Sequence, residues 1–154
     1  MSFSAGGHVA ARLSTAFDAR VYPPADDIDA ASARPDAALL VYPVIDIGAE
    51  AHPGSRDRLL GPDPTPELST ELSPQLQVTA QTPPTFLLHA QDDDTVPVSH
   101  ALMYHRALLQ AGVPAELHLY AHGGHGFGVR APADLPVAAW PQLALGWMRG
   151  VGIG

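Results

Sequence analysis

Two continuous apolar runs dominate the hydrophobic pattern of the chain. Residues 37–45 read Ala-Ala-Leu-Leu-Val-Tyr-Pro-Val-Ile, and residues 85–90 read Thr-Phe-Leu-Leu-His-Ala. Runs without alternation are typical of parallel strands that are covered on both faces. Pro43 is expected near the end of its strand, because a proline inside a central strand would remove a hydrogen-bond donor. Residues 115–120 alternate apolar and polar side chains, which predicts a third strand.

Three further segments have the periodicity of amphipathic helices. They cover residues 5–17, residues 99–110 and residues 137–149, with Ser99 as the expected N-cap of the second and Gly112 ending it. The side chains expected to be buried are Val9, Ala10, Leu13, Ala16 and Phe17 in the first helix, Ala101, Leu102, Tyr104, His105, Leu108 and Leu109 in the second, and Trp140, Leu143 and Trp147 in the third.

The order of these elements predicts the fold class. Strands and helices alternate, which indicates an α/β fold: a doubly wound sheet of three or so mainly parallel strands with right-handed crossovers. Two proline-rich connections separate them, residues 18–35 and residues 46–84. The second is expected to contain one or two helical turns and to line a site, because loops of that length are usually functional.

Composition excludes several classes of protein. A chain of 154 residues fits one domain and can bury a sizeable core. Its formal net charge is −8 with only 8 Lys and Arg, so neither nucleic acid nor an anionic membrane surface is an expected partner. The absence of cysteine excludes disulfides and thiolate metal sites. No signal-peptide pattern is visible, and the sequence does not decide the compartment.

Candidate catalytic residues stand at three points of the chain. Ser4 precedes a predicted helix, Asp93 follows the strand at 85–90, and His125 lies in a glycine-rich loop after the strand at 115–120. Serine, acid and histidine in this order match the chain order of an α/β-hydrolase triad. Small residues after Ser4 permit a tight turn, so Ala5 and Gly6 are candidates for oxyanion and substrate binding.

Each of these residues also has a structural interpretation. Ser4 could simply cap a helix, since serine is favoured at that position. His125 could be a solvent-exposed loop histidine like its neighbour His122. Asp92 and Asp94 are interpreted as turn-forming or solvated residues, because aspartate is favoured in turns. The combination of three sites in the right order favours the catalytic interpretation.

Metal binding is a rival use of the same residues. His118, His122 and His125 could be combined with residues 92–94 into a metal site. The acids lack the spacing of a metal-binding loop, and the chain contains no His-Glu-x-x-His helix. We therefore expect neither a metal nor another cofactor.

The assembled motifs resemble those of the serine α/β-hydrolase esterases, especially the acetyl esterase and acetylxylan-esterase-like branch. The matching segments are residues 3–8, 54–61, 82–90, 93–97, 111–114 and 123–128. In this family the acid stands three residues before the Val of a Val-Pro pair, which is the position of Asp93. The resemblance implies Ser4 as nucleophile, His125 as base, and hydrolysis of short-chain esters, often acetyl groups on carbohydrate, through an acyl-enzyme.

The chain departs from the family pattern in two ways. Ser2 occupies the place of the first glycine of Gly-x-Ser-x-Gly. The resemblance also implies one incomplete domain over residues 1–154, from the nucleophile elbow to the C-terminal helix. The expected losses are the N-terminal half of the sheet, the strand before Ser4 and a His-Gly-Gly-Gly-type loop with the second oxyanion donor. Residues 37–45 would then form an exposed edge, which predicts a homodimer or a covering helix or loop.

Two other functions stay open at this point. The chain could be a catalytically silent truncated hydrolase fragment or an interaction domain, because the oxyanion loop is not in the sequence. It could also be a peptidase-like serine hydrolase that uses the same triad. Small-molecule or carbohydrate esters are the expected partners of the favoured function, an esterase.

Overall fold

Four parallel strands form the sheet in a computed structural model that describes residues 1–153. In sheet order they are β1 (Ser2–Phe3), β2 (Ala38–Val41), β3 (Thr85–Ala90) and β4 (Ala115–Tyr120). All three pairings are parallel. The α/β class predicted from the sequence is therefore confirmed.

The first strand corrects one expectation. Ser2 and Phe3 pair in parallel with Leu40 and Val41, so a short strand does precede Ser4. The predicted strand at 37–45 is accordingly not the edge of the sheet and is shorter than predicted. It ends at Val41 because Tyr42 adopts a φ of 39°, in the left-handed region, where extended pairing cannot continue.

Residues 1–153 also form five helices. They are α1 (Ser4–Ala16), α2 (Pro53–Leu60), α3 (Pro66–Glu71), α4 (Ser99–Gln110) and α5 (Trp140–Gly150). Single 3-10 turns occupy Asp27–Ala30, Pro74–Leu76 and Pro136–Ala139. The three long helices begin and end close to their predicted limits. The predicted N-cap is wrong, because Ser99 is already the first helical residue and no side-chain bond caps α4.

The buried faces of the helices differ from those predicted. Helix α1 buries small or polar side chains, while Val9 and Leu13 are exposed. Of the side chains predicted to be buried in the other two long helices, Leu102 and Leu109 in α4 and Leu143 in α5 are also exposed. Hydrophobic spacing alone favours the large side chains, but a helix that lies very close to the sheet has room there only for small ones.

Two apolar clusters lie on opposite faces of the sheet. Both are built from alternate residues of β2 and β3, since successive side chains of a strand point to opposite faces. One cluster packs against α5, and the other lies under α1 and α4. The first contains Leu39, Val41, Phe86, Leu88 and Trp140, and the second Ala11, Leu40, Leu87, Tyr104 and Leu108.

The connection from residue 46 to residue 84 is more ordered than predicted, because buried polar groups hold it. The His8 imidazole donates from Nε2 to the Leu72 carbonyl at 2.7 Å. Nδ1 of His100 accepts from the backbone N–H of Ile45 at 2.8 Å, and its Nε2 donates to the Glu50 carbonyl at 2.9 Å. Backbone groups in such loops need partners of this kind when they are buried.

Gly7 sets the distance between α1 and the end of β2. A Cβ at this position would lie 2.6 Å from Cβ and 2.8 Å from Cα of Pro43. We expect Gly7→Ala to destabilise the fold by about 1–3 kcal/mol, because the helix must shift away. Urea unfolding of both variants measures this. Gly6→Ala is the matched control, since its Cβ would meet only Ser2 Cβ at 4.0 Å, and equal losses in the two variants would contradict the explanation.

Candidate active site

The turn between β1 and α1 presents Ser4. This residue has a φ of 51°, a left-handed conformation that a side chain other than glycine rarely adopts. Such strain is retained where the surrounding structure holds it. Here the backbone N–H of Val44 donates to the Ser4 carbonyl at 3.1 Å. Ser4 is also the first residue of α1, so its side chain lies at a helix N-terminus.

The structure brings Ser4, His125 and Asp93 together in a continuous chain of hydrogen bonds. Ser4 Oγ lies 2.8 Å from His125 Nε2, and His125 Nδ1 lies 2.7 Å from Asp93 Oδ2. A carboxylate can only accept, so Nδ1 carries the hydrogen of a neutral ring and Nε2 is free to accept the serine proton. The three residues are separated by up to 121 positions in the chain.

The Asp93 carboxylate is fully buried and held by backbone groups. Its Oδ1 accepts from the N–H groups of Thr95 at 3.0 Å and Val96 at 2.8 Å. These bonds give a physical reason for the spacing between Asp93 and Val96, because only a tight turn puts both amides on one oxygen. They leave Oδ2 directed at His125.

Asp92 has a role that the sequence interpretation missed. Its Oδ1 accepts from the backbone N–H groups of Gly123 at 2.9 Å and Gly124 at 2.8 Å, and Oδ2 lies 3.3 Å from His122 Nδ1. The bond from Gly124 lowers the pKa of Asp92 below its ordinary value. The prediction that Asp92 is a turn-forming, solvated residue is confirmed, since Asp92 lies in a turn and is exposed, but its carboxylate has this second role as well. It attaches the acid loop to the backbone of the loop that bears His125.

We expect Asp92→Ala to loosen the histidine loop. Without the carboxylate, the amides of Gly123 and Gly124 lose their acceptor, and their hydrogen exchange should become about tenfold faster or more. Asp94→Ala is the matched control, because the exposed Asp94 side chain accepts only from Thr95 Oγ1, at 3.2 Å. Unchanged exchange in Asp92→Ala, or equal acceleration in Asp94→Ala, would refute the attachment.

The sequence interpretation also missed Tyr42, whose ring packs against the imidazole of His125. Its ring centroid lies 4.8 Å from that of His125 and 4.7 Å from that of Phe127. The hydroxyl accepts from the Gly128 N–H at 2.9 Å, and burial raises the pKa of Tyr42. The sequence signal was hidden, because Tyr42 lies inside the predicted strand at 37–45. The structure ends that strand at Val41, so Tyr42 directly follows it, where site residues of parallel sheets collect.

The predicted oxyanion residues lie at the open end of the site. Ala5 and Gly6 are exposed in the first turn of α1, whose N–H groups have no partner within the helix. A shallow groove starts at Ala5 and runs between α1, the segment after β2 and α2. The groove is lined by Ala5, His8, Val9, Val44, Ile47, Gly54, Ser55, Arg58 and Leu59.

The histidines and acids considered for a metal have other partners. His118 Nε2 lies 2.6 Å from Glu116 Oε1, and His122 pairs with Asp92. Among residues 1–153 no three His, Cys, Asp or Glu side chains are grouped so that they could hold a metal ion. Within the same residues no helix has the length and apolar character needed to cross a membrane.

The strand order and the position of the serine define the class of protein. A parallel sheet with a strained serine between a strand and a helix, followed along the chain by an acid and a histidine after two later strands, is the α/β-hydrolase fold. The sequence profile of the prolyl oligopeptidase family matches residues 37–144, and the chain belongs to this family.

Similarity to individual proteins describes the chain more narrowly than the family does. The chain is 44% identical to an acetyl ester-xyloside bifunctional hydrolase from Caldicellulosiruptor lactoaceticus, whose crystal structure superimposes with a TM-score of 0.92 over 99% of this chain and 56% of that one. It is 38% identical over 131 residues to endo-1,4-beta-xylanase B of Butyrivibrio fibrisolvens, and 35% identical over 133 residues to an acetylxylan esterase of Xylanibacter ruminicola. These matches cover 84% and 83% of this chain but only 20% and 25% of those relatives.

Proposed function

We propose that the chain hydrolyses short-chain carboxylic esters with a catalytic triad of Ser4, Asp93 and His125. One observation carries the proposal: the unbroken hydrogen-bond chain from Ser4 Oγ through His125 to the buried Asp93 carboxylate, with links of 2.8 Å and 2.7 Å. A helix cap would need no histidine at this distance. A nucleophile, a base within reach and a group that orients the base are the parts that acyl transfer needs.

The proposed reaction proceeds in two stages. His125 Nε2 takes the Ser4 proton while Oγ attacks the carbonyl carbon of the ester, and the negative oxygen lies at the N-terminus of α1, near the Ala5 N–H. The intermediate then expels the alcohol, which receives the proton from His125, and an acyl-serine remains. In the second stage a water molecule gives a proton to His125 and attacks the acyl carbon. The intermediate then expels Ser4 Oγ, which takes that proton back from His125, and the acid is released.

Acetyl esters on carbohydrate are the proposed substrates. The support is the similarity to an acetylxylan esterase and to an acetyl ester-xyloside bifunctional hydrolase. The groove that starts at Ala5, the residue after Ser4, is the place we assign to the alcohol part of the substrate. A peptidase-like activity is the second candidate because of the family to which the chain belongs.

Parallel assays separate these possibilities. We expect release of acetate from acetylated xylo-oligosaccharides and from p-nitrophenyl acetate, with little cleavage of peptide p-nitroanilides. Faster cleavage of the peptides than of the esters would favour the peptidase. If the chain is folded but cleaves neither the esters nor the peptides, a catalytically silent fragment or an interaction domain becomes the better explanation.

The predicted homodimer stays a prediction, with the sheet edge now assigned to β1. Strand β1 contributes only Ser2 and Phe3, so the edge available for pairing is shorter than residues 37–45 suggested. Sedimentation of the purified chain tests the assembly. A monomer at all concentrations would rule it out.

A further inference from the structure

His89 lies directly behind the acid of the proposed triad. It belongs to β3 and its side chain is fully buried. Its Nε2 lies 2.9 Å from the Val96 carbonyl and 3.2 Å from Asp93 Oδ2, the same oxygen that His125 Nδ1 contacts at 2.7 Å. Both neighbours of Nε2 are acceptors, so this nitrogen carries the hydrogen and shares it between them.

The second ring nitrogen of His89, Nδ1, makes no hydrogen bond within residues 1–153 that could hold the ring in place. Nδ1 is buried and has no hydrogen-bond partner among the described residues. An unpaired buried acceptor costs free energy, so a residue with no function beyond packing would be better replaced by an apolar one. Burial also lowers the pKa of His89, which keeps the ring neutral beside Asp93.

We propose that His89 is a positioning residue that acts on His125 through Asp93. Its Nε2–H completes the set of donors around the carboxylate: two backbone amides on Oδ1 and two imidazole N–H groups on Oδ2. This bond fixes the rotation of the carboxylate. It also draws charge away from the Asp93 oxygen that accepts from His125, so His89 limits how strongly Asp93 holds the imidazolium that forms during acyl transfer.

In the described part of the chain, few charged or titratable groups surround the hydrogen-bonded side chains of His89, Asp93 and His125. His89 faces Asp93 and lies within electrostatic range of His100. His125 faces Asp93, Ser4 and the ring of Tyr42. The direct polar route from His89 to His125 therefore passes through Asp93, since His89 Nε2 is hydrogen-bonded to the Val96 carbonyl and lies 3.2 Å from the Asp93 carboxylate.

The proposal rests on the proposed triad, and its test uses two readouts, one of which does not need turnover. His89→Met removes the donor, whereas His89→Gln keeps an N–H at nearly the same distance from the backbone. In His89→Met the Nδ1–H proton resonance of His125 should move downfield, because Asp93 accepts more strongly. The acidic limb of the pH profile of kcat/KM should move to higher pH by about 0.5 unit, so kcat/KM should fall at pH values on that limb, where more of the base is protonated. His89→Gln should restore the wild-type values of both readouts.

Each outcome decides the proposal. A wild-type resonance and pH profile in His89→Met would overturn it, and so would equal changes in the Met and Gln variants, which would indicate packing alone. His118→Gln is the control for a histidine elsewhere on the sheet. If the wild-type chain has no activity, the proposed function fails, but the resonance still tests His89.

A measurement on the wild-type chain tests the proposal even if the His89 variants do not fold. The nitrogen chemical shifts of His89 report which ring nitrogen carries the hydrogen. Hydrogen on Nε2 with a bare Nδ1 is the expected state, and the opposite tautomer would leave no donor for Asp93 and would refute the proposal.

Discussion

Replacing Ser4 by alanine is expected to abolish the hydrolysis of p-nitrophenyl acetate. Removing the nucleophile of a triad typically costs at least about 1,000-fold in turnover, because the base then has no group to activate. The wild-type rate itself should be modest. In the proposed mechanism only the Ala5 N–H serves as an oxyanion donor, and each such donor is worth about 100- to 1,000-fold in turnover.

The matched control for this prediction is Ser2→Ala. Ser2 lies two residues earlier, and its hydroxyl makes one long bond, 3.5 Å to the Leu39 carbonyl. Initial rates of the wild type and both variants, together with a thermal melt of each, make the comparison complete. A Ser4→Ala variant that keeps the wild-type rate would show that the hydrolysis does not pass through Ser4.

Mild acid is expected to destabilise the fold. Burial lowers the pKa of His8, His89 and His100 in the folded chain, so each ring stays neutral there below the ordinary value of 6.5. The unfolded chain takes up these protons as the pH falls through 6.5, and the folded chain does not. The free energy of unfolding should therefore fall below pH 6.5 by as much as about 1.4 kcal/mol per pH unit for each histidine.

Urea unfolding at pH 8, 7, 6 and 5 measures this loss. His100 should contribute strongly, because protonation of its Nδ1 would break the bonds from the N–H groups of Ile45 and Asp46. Carboxylates act in a separate window: the lowered pKa of Asp92 matters only below its ordinary value of 3.8. His122→Gln is the control, since His122 is exposed. Equal stability at pH 8 and pH 5 would disprove the explanation.

The sequence predicts the sheet better than the helix faces. Buried parallel strands have to be apolar over their whole length, so residues 85–90 could be read directly. The buried face of α1 could not be predicted in this way. The helix lies so close to Pro43 that only a residue as small as Gly7 fits there. That approach depends on a residue 36 positions away, and periodicity contains no such information.

The candidate site also contains some residues that the sequence predicts and others that it does not. Ser4, Asp93 and His125 could be proposed because each follows a strand or precedes a helix in a known chain order. The contacts of Asp92 and the proposed role of His89 depend on which oxygen of a carboxylate meets which donor. Residue type and spacing do not determine such contacts, since they arise only after two loops from distant parts of the chain meet.

The two adjacent aspartates have a consequence for redesign of the molecule. Asp92 holds the backbone of the histidine loop and Asp93 holds its imidazole, so two loops share one alignment. Lengthening either loop by one residue would detach both contacts together, and substrate preference should be engineered at the groove instead. New sequence is best inserted within residues 18–35, which are largely exposed and supply no side chain to the proposed triad.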